Sequence, residues 1–336
     1  MSFTVELLRQ HHRPGARCYL LLDGAVEPKL LSLIFDQQTE PQVFPLYAHT
    51  PFANLQGISP LLVAVDIDDG LFAEYVNKGI AKHWGLLLSS DHSFEQLVQH
   101  AQWWLTMNHP DGGEMLFRGY DPRIAWRLLA ASTPEQHAYW LGPFASVECM
   151  ITDGTFEKLP KIEPYDTLLV TEDRWLRVIN VQPTHDVHRY GQIQTFTANQ
   201  ITAMEEAPKV KAREQLYNYI HQYHPHLLRH EALVPAIYQF MGQFSRRTQA
   251  LVPDDHVVIN QRYPVIHAFD ALTQGIQCQT RNEQYLLVDI IGLLGEQVFF
   301  SQQYDAVYQL ITQPAPHPLS ERLAQAYELA KQYGSK

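Results

Sequence analysis

Three runs of almost uninterrupted apolar residues, Cys18–Leu22, Leu61–Val65 and Leu86–Leu88, are separated by segments whose apolar residues recur at helical spacing. No other feature of the chain restricts its fold as much. A strand that is apolar at every position must be covered on both faces, and helices between such strands supply the cover. The expected elements are strands at Cys18–Leu22, Val43–Ala48, Leu61–Val65, Leu86–Ser89 and Met115–Tyr120. Between them lie helices at Pro28–Gln37, Gly70–Lys82, Phe94–Met107 and Pro122–Ala131. In the third helix Phe94, Leu97, Val98, Ala101 and Leu105 keep helical spacing, and Ser93 with Gln96 forms a capping box. The pattern predicts an α/β lobe with a mainly parallel sheet.

The texture changes after Met150. Gly154, Pro160 and Pro164 among charges read as a linker over 153–165, which divides an α/β domain at 1–152 from a second lobe at 166–336. Thr167–Val181 reads as a hairpin. Beyond it the periods are helical, opening on a second capping box at Thr197 and Gln200, with Pro208 expected to kink or break the first helix. Apolar stripes at Leu216–Tyr223, Ala236–Phe244, Tyr285–Leu294, Asp305–Ile311 and Glu321–Tyr333 make this lobe mostly α-helical. A chain of 336 residues is long enough for two cores.

Charge narrows the choice of partner. Residues 1–150 hold nine Lys and Arg against sixteen Asp and Glu, and the remainder holds sixteen against twenty. Neither half carries the basic footprint of a nucleic-acid binder. Cys18, Cys149 and Cys278 are odd in number, widely spaced and in no Cys-x-x-Cys pair, which suits a reducing compartment. The first fifteen residues lack the apolar core of an export signal, and no run approaches membrane-spanning length.

Four constellations could carry chemistry. Leu62–Val65 runs into Asp66, Asp68 and Asp69, an ending that suits either Mg²⁺ or a solvated acidic turn. With Ser89 or Ser90 as a second motif, Asp66 and Asp68 would fit a Mg²⁺-dependent phosphatase or a nucleotidyl- or sugar-transfer enzyme, although no Thr follows Asp68 at the expected distance. Histidines at 185, 188, 221, 224, 226 and 230 are numerous but form no His-Glu-x-x-His pattern. There is no Gly-x-Ser-x-Gly elbow and no phosphate-cradling glycine loop, and the cysteines sit in apolar settings. Finally, Leu116-Phe117-Arg118-Gly119-Tyr120 runs into Asp121-Pro122-Arg123. Asp121 and Pro122 suit a helix N-cap and first turn, whereas Arg118 in an apolar strand needs a partner, for which Asp111, Glu114, Asp121 or a ligand could serve.

An ordered set of motifs carries a resemblance. It comprises Leu21-Leu22-Asp23-Gly24-Ala25, Pro45-Leu46-Tyr47, Ser59-Pro60-Leu61-Leu62-Val63, His83-Trp84-Gly85-Leu86-Leu87-Leu88-Ser89-Ser90, His100, Leu116–Arg123 and Leu141-Gly142-Pro143. Over residues 17–144 the chain resembles the type VI secretion effector-loading adaptors. Phe196–Gln200 and Gly292–Phe299 look like that family's more variable helical lobe. Gln99 and Gln102 stand where relatives are richer in Arg, which weakens any basic partner-binding face, and Ser59 stands where Gly often precedes the proline.

The resemblance implies a non-enzymatic chaperone of the cytoplasm of a Gram-negative bacterium, without cofactor or metal. Its partners would be a cognate secreted effector, held through an apolar segment, and the tip protein of the secretion spike. The expected contact region is the cleft between the lobes, with His100, Trp104, Arg118, Tyr120, Asp121, Arg123 and Trp140 as candidate partner-binding residues. Client choice would lie in the second lobe. A purely structural part of the secretion machine is a further reading.

Overall fold

The computed structural model describes residues 17–108, 112–151, 167–170, 174–180, 183, 187–192, 194–248, 263–313 and 317–334. The expected linker at 153–165, together with Asp111 and His185, lies outside them. The chain divides into two compact units, the first reaching Ala207 and the second starting at Pro208.

In the first unit the order is β1 (Arg17–Leu22), α1 (Leu30–Gln37), β2 (Val43–Pro45), β3 (Leu61–Val65) and α2 (Gly70–Glu74), which continues as a π-helical turn over Tyr75–Gly79. There follow β4 (Gly85–Ser90), α3 (Phe94–Trp103), β5 (Thr106–Asn108), β6 (Glu114–Leu116), α4 (Pro122–Ala130), α5 (Pro134–Leu141) and β7 (Ser146–Met150). The hairpin expected at Thr167–Val181 forms as β8 (Leu168–Val170) and β9 (Trp175–Ile179), and β10 (Gln194–Thr195) comes last.

The strands pair in the order β2-β3-β1-β4-β7-β9-β8, and every neighbouring pair in this sheet is antiparallel. The expectation of a mainly parallel sheet is therefore corrected. Its basis was sound but incomplete. β1-α1-β2 and β3-α2-β4 are each crossover units whose two strands run the same way, but they interleave: β3 lies between β1 and β2, and β1 lies between β3 and β4. Interleaving turns each parallel crossover into antiparallel neighbours, the split β-α-β arrangement.

Covering on both faces does hold. Cys18, Leu20 and Leu22 of β1 join Leu61, Val63 and Val65 of β3, Leu30 and Ile34 of α1, and Leu71, Phe72 and Tyr75 of the α2 segment in one core. The alternate residues Tyr19, Leu21, Leu62, Leu86 and Leu88 point to the other face and are equally buried. Each such side chain contributes about 1.5–3 kcal/mol by leaving water. On that second face Tyr19 stacks on Phe94, the first residue of α3.

A smaller sheet runs β10-β5-β6, with β5 and β6 antiparallel. It interrupts the helix expected over Phe94–Met107, which ends at Trp103 so that Thr106–Asn108 can pair.

The second unit is helical. Helix α6 (Ala198–Tyr223) starts in the first unit and continues through Pro208, where a kink or break was expected and where the two units divide. It is followed by α7 (Leu233–Thr248), α8 (Pro264–Gly275), α9 (Arg281–Leu294), α10 (Asp305–Thr312) and α11 (Leu319–Gly334). Ile220, Ile237, Phe240, Phe269, Leu272, Val288, Ile291, Val307 and Leu323 fill its core.

Candidate functional site

β1 ends by delivering Asp23 to the interior. Its backbone N–H donates to the Trp84 carbonyl at 2.6 Å, and its carboxylate accepts the Ala25 N–H at 3.0 Å. Gly24 follows because a Cβ there would overlap the Ser59 carbonyl. Arg118 forms an ion pair with the fully buried Asp23, while about a third of its own side chain is exposed (32%). Its guanidinium also lies 5.8 Å from the centre of the Tyr120 ring. Asp23 was not among the partners expected for Arg118, though it stands in the Leu22-Asp23-Gly24 motif as a carboxylate ending an apolar strand.

Tyr120 is buried and shares a hydrogen bond with the Tyr47 hydroxyl at 3.1 Å. Burial first, and then that bond, push its phenol above the ordinary tyrosine range. Asp121 caps α4 by accepting the Arg123 N–H at 3.0 Å, with Pro122 in the first turn, as the sequence predicts. Arg123 grips the same carboxylate twice, Nε at 2.9 Å and Nη2 at 2.7 Å. Burial opposes the charge of Asp121, but the bonds and charge of Arg123 outweigh it and hold the carboxyl below its usual value.

A second cluster surrounds His100. Its Nε2 donates to the Trp140 carbonyl at 2.9 Å, and Trp104 Nε1 donates to the same oxygen at 3.0 Å. Trp104 and Trp140 stack with centroids 4.2 Å apart and planes 6° from parallel. Gly142 lies at φ +53°, and a Cβ there would clash with the His100 ring at its Cε1. Asn180 holds the Gly142 carbonyl at 2.9 Å and Ser90 Oγ holds the Pro143 carbonyl at 2.7 Å. The motif residues Ser90, His100 and Gly142-Pro143, distant in sequence, therefore meet. Burial drives the His100 imidazole down to about 3, against the bond to Trp140, so it is neutral.

The seven candidate partner-binding residues thus take unequal places. His100, Trp104, Tyr120, Asp121, Arg123 and Trp140 are all buried. Packed in this way, the six belong to the frame beneath the surface. Arg118 alone of the seven is part-exposed. Exposed apolar side chains of the first unit outside these seven include Leu31 and Phe35 on α1, and Met115 and Leu116 on β6.

The acidic turn after β3 is engaged in holding its own backbone. Asp69 caps α2 through the Phe72 N–H at 2.7 Å and accepts Gln38 Nε2 at 2.7 Å, and Asp66 accepts the Asp68 N–H at 3.1 Å. In the second unit His224 donates to Asp289 at 2.7 Å, His226 meets the Gly292 carbonyl at 3.2 Å and His230 meets Glu296 at 3.1 Å. His188 stacks on Trp103 in the first unit. Among the described residues no three His, Cys, Asp or Glu side chains converge as metal ligands. No helix among them is long and apolar enough to cross a membrane.

Comparison with known proteins places these observations. The family model described as a domain of unknown function, DUF4123, matches residues 18–139. That span runs from β1 into α5 and holds the Asp23–Arg118 and Asp121–Arg123 pairs. Accessory protein VasW of Vibrio cholerae serotype O1 is 30% identical over 115 residues, which cover 34% of this chain and 38% of that protein. No solved structure matches.

Proposed function

We propose that the chain, whose residues 18–139 match the DUF4123 domain and which is similar over part of its length to accessory protein VasW, is a non-enzymatic type VI secretion adaptor which holds a cognate secreted effector in the cytoplasm and delivers it to the secretion spike. The family match carries the reading. Its motifs coincide with the residues that build the frame: Asp23 and Arg118 join β1 to the segment before α4, and His100 with Gly142 joins α3 to the end of α5. Polar groups that would suggest catalysis are spent on this frame. Asp69 and Asp121 cap helices, Arg123 neutralises Asp121, and His100 is buried and neutral.

A frame of this kind acts by mass action. At a hundredfold excess over its dissociation constant, an adaptor that binds only the folded client stabilises it by about 2.7 kcal/mol. Arg118, the part-exposed member of its pair, is the contact we propose from the seven candidates, and the second unit is proposed to select the client.

The test is co-expression of the full chain with each secreted protein encoded beside it, followed by purification through a tag on the candidate client. Stoichiometric recovery of the adaptor with one client, and with no unrelated secreted protein, is expected. Absence of any complex, together with Mg²⁺-dependent turnover lost in Asp66→Asn, would overturn the reading.

A further inference from the structure

The outer edge of β6 is built to take another strand. Phe117 N–H donates to the Leu105 carbonyl at 2.7 Å, and the register pairs Met107 with Met115 and Thr106 with Leu116. Bonded and non-bonded pairs alternate along an antiparallel ladder. Met115 therefore turns its N–H and carbonyl toward β5, whereas those of Glu114 and Leu116 point away from it. β6 is the last strand of its sheet, so among the described residues no strand takes up these outward groups. The side chains are equally open: Met115 is 46% and Leu116 36% exposed, and Glu114 is exposed. Tyr190, which feels the Glu114 carboxylate, and Phe52, packed edge-on against Tyr190 at 6.5 Å, extend the surface with half-buried aromatic rings.

An exposed apolar strand edge is a liability in a free protein and an asset in one that binds extended segments. We propose that β6 receives an extended segment of the client as an added strand, with apolar residues against Met115 and Leu116 and a basic residue beside Glu114. This rests on the adaptor reading and names the surface and the chemistry of its partner. The unpaired backbone groups call for a strand rather than a helix. The basic residue follows from charge, since Glu114 is in no described ion pair and residues 1–150 carry nine basic against sixteen acidic side chains.

A second copy of this chain fits the edge poorly in each two-fold antiparallel register. Centring on Glu114 opposes two carboxylates, and centring on Met115 sets each carboxylate against Leu116. Centring on Leu116 sets Glu114 against Arg118, whose single charge already balances the buried Asp23 and would be shared between two carboxylates.

The test uses the full chain, alone and with the client recovered by co-expression, and reads amide hydrogen exchange residue by residue. In the free chain Met115 should be protected and Glu114 and Leu116 should exchange freely. With client bound, the Leu116 amide should slow at least tenfold. Leu116→Pro deletes the outward N–H and no bond to β5, so it should weaken client binding at least tenfold with the melting temperature nearly unchanged. Glu114→Lys should weaken binding as well. If the client binds and the Leu116 amide still exchanges freely, the strand-addition inference fails and the adaptor reading stands. Protection that grows with the concentration of the chain alone would assign the edge to a second copy and overturn the inference. If no client binds, the adaptor reading falls and takes this inference with it.

Discussion

The guanidinium of Arg118 closes over the carboxylate of Asp23, a residue 95 positions earlier whose side chain has no exposed surface. The pair joins the end of β1 to the segment between β6 and α4. A buried carboxylate deprived of its cation destabilises a fold by about 3–5 kcal/mol, and the part-exposure of Arg118 lets water offset some of this. Arg118→Ala should therefore cost about 2–3 kcal/mol in urea unfolding. Adding Asp23→Asn should restore part of the loss, because the neutral amide needs no cation. Equal losses in the single and double variants would refute the coupling.

The buried histidines set the response to acid. His100 is held near 3, and burial also lowers His83 and His137. Their unfolded value is about 6.5. Below that pH the unfolded chain takes up protons that the folded chain refuses, so stability is complete above about pH 7 and falls as pH drops through 6.5, for His100 by up to about 1.4 kcal/mol per pH unit down toward 3, with His83 and His137 adding to the slope below 6.5. Urea midpoints followed by tryptophan fluorescence at pH 7, 6 and 5 should fall in that order. His100→Gln, which keeps a donor for the Trp140 carbonyl, should lower stability at pH 7 yet flatten the slope by about one proton. An unchanged slope would remove His100 from the account.

Local chemistry was readable from the sequence, and long-range pairing was not. Ser93 with Gln96, Thr197 with Gln200, and Asp121 with Pro122 all cap their helices, because a cap depends on residues no more than three positions apart. The direction of the strands depends on which crossover unit inserts into the other, and nothing in an apolar run such as Leu61–Val65 records that β3 pairs with both β1 and β2. His100 could be singled out by motif, and Trp140 by its place beside Leu141-Gly142-Pro143, but their burial follows from helices brought together over a sheet. Met115 and Leu116 read as core because they are apolar. Only the end of the small sheet at β6 leaves them in solvent.

Thiol chemistry separates burial from reactivity. Burial, then the Glu148 carboxylate, pushes the Cys18 thiol to about 12, burial drives Cys149 higher still, and burial with Glu283 takes Cys278 to about 12. The thiolate is the reactive form, so all three should react with a disulfide reagent at pH 8 far more slowly than a free thiol. In denaturant three thiols should be titrated at once. Fast labelling of Cys18 or Cys149 in the folded chain would contradict the packing of β1 and β7.

The acidic turn after β3 distinguishes a capping role from a metal site. Asp69 accepts the Phe72 N–H, the Asp66 N–H and Gln38 Nε2, at 2.7, 3.1 and 2.7 Å. Asp69→Ala should therefore cost about 1–2 kcal/mol, as for a lost N-cap. Asp66 offers an oxygen to the Asp68 N–H, and an amide oxygen does this as well as a carboxylate. Asp66→Asn should accordingly change stability by less than about 0.5 kcal/mol. A Mg²⁺ site would behave otherwise. Removing one carboxylate would abolish metal binding, and millimolar Mg²⁺ would raise the melting temperature of the unaltered chain by linkage. The expected result is the same melting temperature with Mg²⁺ and with chelator, in both proteins. A Mg²⁺-dependent rise that Asp66→Asn eliminates would show that the turn binds metal in addition to capping α2.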